Sequence, residues 1–367
     1  MGTAIWRLPV NAAGLPTWWL PYVRAGWVAE EGIDNLNDLN DESKWQFVKA
    51  LGNLSELRVL RINGSLEGTV LSDLAQSLGN LHKLQHLSLL LAEWDRYEAP
   101  LLAEWDRVVL SQHLQILIVN IVELRRLPSC ISPARLPSLC YLDLFVEDID
   151  EAGLRAVGGL PQLRRLDLQA TVATWSSSSS GSTATTVVIA GDGFFQKLRH
   201  CRFFGWMVQF VVNEDSACVS FSLWNGKQQG ALAAFGSSTE DESSSRSVPP
   251  TVMPNLQDLE FHVPVRALYK DGNGSCRSLG LHCLPSLRRV TVYVDCEGAS
   301  PDEVEKAEAE LRHAAQLHPN SLMLDLDRWN EDQMMRHSTD QIGDQVHTRC
   351  SAHSGSYVNS TIFIFLY

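Results

Sequence analysis

The feature that most constrains this chain is a recurring apolar spacing, Leu-x-x-Leu-x-Leu, which returns along most of its length. It reads Leu57-Leu60-Ile62, Leu84-Leu87-Leu89, Leu114-Leu117-Val119, Leu139-Leu142-Leu144 and Leu163-Leu166-Leu168. Degenerate copies follow at Leu198-Cys201-Phe203, Leu256-Leu259-Phe261 and Leu287-Val290-Val292, and Leu322-Leu324-Leu326 closes the series. Taking the middle position as a ruler, 60, 87, 117, 142 and 166 lie 27, 30, 25 and 24 residues apart. Within each copy the alternating pair makes a short strand with one apolar face, because strand side chains point to opposite sides in turn. One coil cannot bury that face alone, so successive coils must stack and share a core.

The period falls within the ~20–29 residues of a leucine-rich repeat. The spacing therefore predicts an α/β leucine-rich-repeat solenoid: a curved horseshoe with a parallel sheet on its concave side, irregular repeats and inserted loops. Leucines three apart also suit a helical face, but a helix would continue that spacing. Here the pattern switches to period two at the same place in each copy, and Pro137, Pro161 and Pro285 precede several copies. Gly52, Gly79 and Gly158, in phrases such as Leu51-Gly52-Asn53-Leu54, are expected in tight return turns.

Residues 1–50, rich in Trp and Pro, read as a degenerate amino-terminal repeat or capping segment, and 51–329 as the repeat domain. A duplication, Leu90–Arg96 and Leu101–Arg107, enlarges the second coil. Serine- and threonine-rich stretches near 171–186 and 236–250 are expected to be flexible inserts. Ser300-Pro301-Asp302-Glu303 has the form of a capping box with proline at the first helical position, and Val304, Ala307, Leu311 and Ala315 continue one apolar stripe. A helix over 301–317 followed by a last strand is expected to cap the stack, with 330–367 a disordered or loosely packed tail.

The formal charge of -13 opposes binding to nucleic acid, which needs a basic stripe to neutralise phosphates. No stretch approaches the ~20 apolar residues of a membrane span. Pro9, Pro16 and Pro21 interrupt the start where a secretory signal would run, so a cytoplasmic location is expected. Eight scattered cysteines without a Cys-x-x-Cys pair read as reduced core thiols. Asn-x-Ser/Thr triplets at Asn53, Asn63, Asn273 and Asn359 are the contrary hint of an extracellular protein.

Catalytic patterns fail on inspection, and no cofactor or metal is expected. There is no phosphate-binding Gly-x-x-x-x-Gly-Lys-Ser/Thr and no Gly-x-Ser-x-Gly elbow. His82 and His86 have metal-ligand spacing, but Lys83 stands where a zinc protease needs Glu. His200-Cys201 and His282-Cys283 are strand-like neighbours that face opposite ways and cannot pair.

What remains is a surface. Side chains between and beside the inward apolar ones should line the concave face: Arg61, Ser88, Ile118, Asp143, Arg165, Asp167, Arg202, Glu260, Thr291 and Asp325 along a central line. Tyr141, Phe145, Asp258, His262, Arg289, Tyr293 and Asp327 flank it. The candidate protein-binding set is Arg61, Ser88, Ile118, Tyr141, Asp143, Arg165, Asp167, Arg202, Glu260, Arg289, Tyr293 and Asp325, aromatics among charges as protein interfaces favour.

The ordered phrases Ala50-Leu51-Gly52-Asn53-Leu54, Ser77-Leu78-Gly79-Asn80-Leu81, Arg126-Leu127-Pro128-Ser129, Leu160-Pro161-Gln162-Leu163 and Met253-Pro254-Asn255-Leu256 continue to His318-Pro319-Asn320. In that order they resemble the carboxy-terminal repeat region of plant, especially cereal, coiled-coil nucleotide-binding leucine-rich-repeat resistance proteins. The resemblance implies a non-enzymatic interaction module in plant defence that senses a pathogen effector or a guarded host protein, or restrains a nucleotide-binding domain. The coiled-coil and nucleotide-binding domains of that family have no counterpart here, as in a truncated paralogue or gene fragment. Two other classes use such repeats: a substrate-recruiting subunit of a ubiquitin ligase, and an extracellular receptor fragment.

Overall fold

The computed structural model describes residues 32–33, 40–64, 68–91, 108–124, 126–146, 149–170, 187–190, 193–213, 218–224, 253–269 and 276–335. Both serine-rich stretches, most of the Leu90–Arg107 duplication, the first 31 residues and residues 336–367 lie outside the described residues, as do Asn273 and Asn359.

Ten strands form one sheet: β1 (Gly32–Ile33), β2 (Val59–Gly64), β3 (His86–Leu91), β4 (Ile116–Leu124), β5 (Tyr141–Val146), β6 (Arg165–Gln169), β8 (His200–Phe204), β11 (Asp258–Pro264), β12 (Arg289–Asp295) and β13 (Met323–Trp329). They lie side by side in chain order and every pairing is parallel. The register explains the repeat. Leu60, Leu87, Leu117, Leu142, Leu166, Cys201, Leu259, Val290 and Leu324 stand in one row across the sheet, and Ile62, Leu89, Val119, Leu144, Leu168, Phe203, Phe261, Val292 and Leu326 in the next apolar row. Except at β13 these side chains are buried, each fully buried leucine contributing roughly 1.5–3 kcal/mol.

Before each strand the first leucine of the motif turns the chain inward, and the backbone is tied to the coil behind it. Gln85 N–H donates to the Arg58 carbonyl, Gln115 to Gln85, Cys140 to Gln115, Arg164 to Cys140, Arg199 to Arg164, Gln257 to Arg199 and Arg288 to Gln257. That ladder satisfies backbone groups that would otherwise be buried without partners at the mouth of every coil.

The return side of the coils is mixed. Helices α1 (Asp41–Leu51) and α2 (Gly68–Leu78) pack on each other over the first coils, with Asn40 accepting from Ser43 N–H at 2.8 Å as the cap of α1. Helix α3 (Glu151–Gly158) is capped by Asp150, which accepts from Gly153 N–H at 2.6 Å. Gly52 and Gly159 close α1 and α3 with ordinary right-handed dihedrals, φ -60° and -79°, so glycine serves there for closeness and not for handedness. A Cβ at Gly52 would stand 3.2 Å from the Asn80 side chain of the next coil.

Beyond β6 the described residues hold an element absent from the repeat pattern. Strands β7 (Val187–Ala190), β9 (Met207–Asn213) and β10 (Cys218–Trp224) form a separate antiparallel sheet in the order β7-β10-β9. Its buried face, Val208, Phe210, Val219, Phe221 and Leu223, enters the common core. Phe221 meets Phe210 at 5.2 Å and Phe203 of β8 at 5.5 Å between ring centroids. Short helix α4 (Val265–Tyr269) follows β11, and α5 (Pro301–Leu317) precedes β13. Both halves of the expected capping box are present: Glu303 N–H donates to Ser300 Oγ, and Ser300 N–H donates back to the Glu303 carboxylate. The chain then folds back, with Gly298 N–H donating to the Gln333 carbonyl and Met335 N–H to that of Ala299.

Candidate protein-interaction face

The sheet face opposite the core carries three rows of side chains set by register. Arg61, Ser88, Ile118, Asp143, Asp167, Arg202, Glu260, Thr291 and Asp325 align in the central row. Tyr141, Arg165, His200, Asp258 and Arg289 fall in the row before it. Phe145, Gln169, Phe204, His262, Tyr293 and Asp327 belong to the row after it. Arg165 thus departs from its expected central place. It lies two residues before Asp167 on the same strand face, in register with Tyr141.

The rows differ in character along the stack. Over β2 to β4 the face is mixed, with Val59, Leu90, Ile116 and Ile118 among Arg61, Asn63, His86, Ser88 and Asn120. Over β5 to β8 it becomes a closed polar cluster. The Tyr141 hydroxyl donates to Asp167 Oδ2 at 2.9 Å and lies 3.3 Å from Asp143 Oδ2. Arg165 donates to Asp167 through Nε at 3.2 Å and Nη2 at 3.1 Å, and its guanidinium sits over the Tyr141 ring, 5.1 Å from the centroid. Gln169 Nε2 donates to Asp143 Oδ1 at 3.0 Å, and Arg202 stands 3.8 Å from Asp167.

This cluster is buried to unequal depth, and that decides what a partner meets. Asp167 is 1% and Asp143 7% exposed, and Ser88 is buried also. Their side chains organise the face without presenting much of it. Arg61, Arg165, Arg289 and Asp325 are exposed, while Ile118, Tyr141, Arg202, Glu260 and Tyr293 are partly so. Burial, reinforced by the charge of Asp167, pushes the Asp143 carboxyl up to about 6, against the pull of Arg202, Gln169 and Tyr141. The Tyr141 phenol is likewise raised, by burial first and then by Asp143 and Asp167.

Toward the last coils the face turns aromatic. His262 is fully buried beneath Phe204, Tyr293 and Trp329, with ring centroids 4.4, 4.9 and 5.5 Å away. Among the described residues neither imidazole nitrogen has a hydrogen-bond partner, and burial lowers its pKa to about 3. Sequence reasoning placed His262 and Tyr293 on this face but missed Phe204, Trp329 and Gln169. Each stands two residues beyond an assigned position, so the period-two rule carried one step further finds them.

The groups that invite a catalytic reading are separated by the fold. Cys201 and Cys283 are buried while their neighbours His200 and His282 point to solvent, and His200 pairs with Asp258 at 2.7 Å. Burial pushes the thiols of Cys276 to about 12 and Cys283 to about 11, away from the thiolate a nucleophile needs. His86 lies on β3, lowered to about 4 by burial and then by Arg61, and His82 is exposed in the preceding turn. Among the described residues no group of three or more His, Cys, Asp or Glu side chains is placed to hold a metal ion, and no helix is long and apolar enough to cross a membrane.

One strand per coil, nine parallel pairings and a shared apolar core define a repeat solenoid with one face of its sheet turned away from the core. A family profile described as a leucine-rich repeat region matches residues 5–324, and the chain belongs to that family. Such regions generally serve as non-enzymatic modules for binding other proteins. Comparison with curated proteins finds no match.

Proposed function

We propose that the chain is a cytoplasmic interaction module of plant defence, which captures a pathogen effector, a guarded host protein or the nucleotide-binding domain of a resistance protein on the concave face of its solenoid. The observation that carries the binding face is the polar cluster of Tyr141, Asp143, Arg165, Asp167 and Arg202, locked by short hydrogen bonds yet open through its two arginines. Preorganised arginines beside an aromatic ring lose little freedom on binding and suit the centre of a protein interface. Arg61 on β2 and Arg289 on β12 are exposed on the same face to either side of that cluster. The defence setting rests on the ordered phrases from Ala50 to Asn320 and their resemblance to resistance-protein repeats.

Proximity labelling in cereal protoplasts tests both parts. The intact chain should enrich effectors, guarded proteins or nucleotide-binding domains of resistance proteins, and the exposed reversals Arg61→Glu with Arg289→Glu should lose them. A labelled set that lacks all three classes removes the defence role. A set unchanged by the reversals removes the concave face as its seat.

A further inference from the structure

Among the described residues the solenoid does not close behind its last strand, β13. In β12 the inward residues Val290 and Val292 are 0% exposed, whereas Leu324 and Leu326, their register partners in β13, are only half-buried. Between β13 and Arg312, Ala315 and Gln316 of α5 lies an open groove of about 620 Å³, floored by Leu322, Leu324 and Leu326. Leu317, next to Gln316 at the end of α5, is 71% exposed, and Met323, on the sheet face of the same strand, is 55% exposed. Among the described residues the expected cap is therefore incomplete: α5 packs on β13 and on the turns before β12, yet Leu324 and Leu326 stay only half-buried.

The same strand offers unused backbone. Met323 N–H donates to the Arg288 carbonyl and the Trp329 carbonyl accepts from Cys296 N–H, so the odd-numbered residues of β13 face β12. In a parallel ladder successive residues turn their backbone groups to opposite sides, which aims those of Leu324 and Leu326 at the outer edge. No described strand pairs there. On the sheet face the exposed carboxylates of Asp325 and Asp327 flank that edge, and neither has an ion-pair partner among the described residues. On the groove side, by contrast, Arg312 and Arg328 are both held by Glu308, at 2.8 and 2.6 Å.

We propose that this edge is a second docking site, which takes an extended segment of a partner protein whose side chains alternate between basic and apolar. Added to β13, such a segment places its apolar side chains on Leu324 and Leu326 and its cations opposite Asp325 and Asp327, while its backbone satisfies the outer N–H and C=O groups. The charge pattern selects against a second copy of the chain. Antiparallel self-pairing about Leu326 sets Asp325 against Asp327 of the other copy, and like charges directly opposed are destabilising. The proposal shares Asp325 and Asp327 with the concave-face rows but rests on the groove and the backbone edge, which lie outside them, so loss of peptide binding and loss of partner capture on the face are separate readouts.

A fluorescent heptapeptide of alternating lysine and valine, titrated into the full chain, tests it by polarisation. It should bind, and its glutamate-valine counterpart should not. Asp325→Lys with Asp327→Lys should weaken binding about tenfold, whereas the charge-matched Glu42→Lys with Glu56→Lys at the other end should leave it unchanged. Peptide should also slow hydrogen exchange at the Leu324 and Leu326 amides. Absence of binding overturns the proposal, as does equal weakening by both charge variants. Light scattering that shows a dimer, dissolved by Leu326→Asp, gives the edge to a second copy and overturns it too.

Discussion

The Tyr141 hydroxyl donates to the Asp167 carboxylate at 2.9 Å, joining side chains 26 residues apart in sequence that stand on adjacent strands of the sheet. It supplies one of the donors that let a carboxylate only 1% exposed remain in the fold. Tyr141→Phe removes the donor and keeps the ring beneath Arg165. The expected cost is about 1–2 kcal/mol, read from urea unfolding, with the far-ultraviolet spectrum unchanged. A loss below about 0.5 kcal/mol would mean that Arg165 and Arg202 hold Asp167 without the phenol.

Asp143 lies beside Asp167 in the central row, and its carboxyl is pushed up to about 6 by burial and by that neighbour. The folded chain therefore binds this proton more tightly than the unfolded chain does. Its contribution to stability falls as pH rises from the ordinary carboxylate range, near 4, through about 6. Asp143→Asn removes the buried charge and keeps an acceptor for Gln169. Thermal melts should show the variant more stable than the parent at pH 7, by at most roughly 3 kcal/mol, and a flatter profile through that window. A variant less stable at neutral pH would show that the ionised group is needed where it stands.

His262 works in the opposite direction. Its imidazole is held neutral, lowered to about 3 by burial. The unfolded chain takes up the proton first as pH falls below about 6.5, so this residue withdraws stability between there and about 3. His262→Phe keeps an aromatic ring among Phe204, Tyr293 and Trp329 and removes two nitrogens that have no hydrogen-bond partner among the described residues. The melting temperature should rise, and by more at pH 5 than at pH 8. An equal change at both values would trace the effect to packing alone.

Much of this was legible in the sequence because the repeat and the sheet obey one rule. Leu60, Leu87, Leu117, Leu142 and Leu166 recur at a near-constant interval because each occupies the same rung of the ladder. Helix α5 was equally plain, since Ser300, Pro301 and Glu303 state its start in local chemistry. The antiparallel sheet was not. Alternation in Val219, Phe221 and Leu223 marks a strand, but nothing local says that its partners are β7 and β9 instead of the main sheet. Burial on the open face was hidden for a related reason: Asp143 and Asp167 are covered by Tyr141, Arg165 and Gln169 from their own and adjacent strands. Those cross-strand neighbours are set by register, which a one-residue slip would change entirely.

The inserted sheet makes its own demand on the chain, at Gly280. That residue adopts φ +69°, in the left-handed region, and a Cβ there would overlap the carbonyl of Phe210 in β9. Backbone strain and overlap act together, and neither end is free to yield, because Phe210 stacks on Phe221 and Cys283 N–H donates to the Gly280 carbonyl. Gly280→Ala should therefore cost on the order of 3 kcal/mol or more, against about 1 kcal/mol for an ordinary exposed substitution. Because the clash lies between β9 and the turn before β12, the damage should be local first. Hydrogen exchange should accelerate at Val208, Phe210 and Phe221 while amides of β2 to β5 keep their protection, as expected of a stack whose coils contact only their neighbours. Uniform loss of protection from β2 onward would instead show that the antiparallel sheet is a support on which the whole solenoid depends.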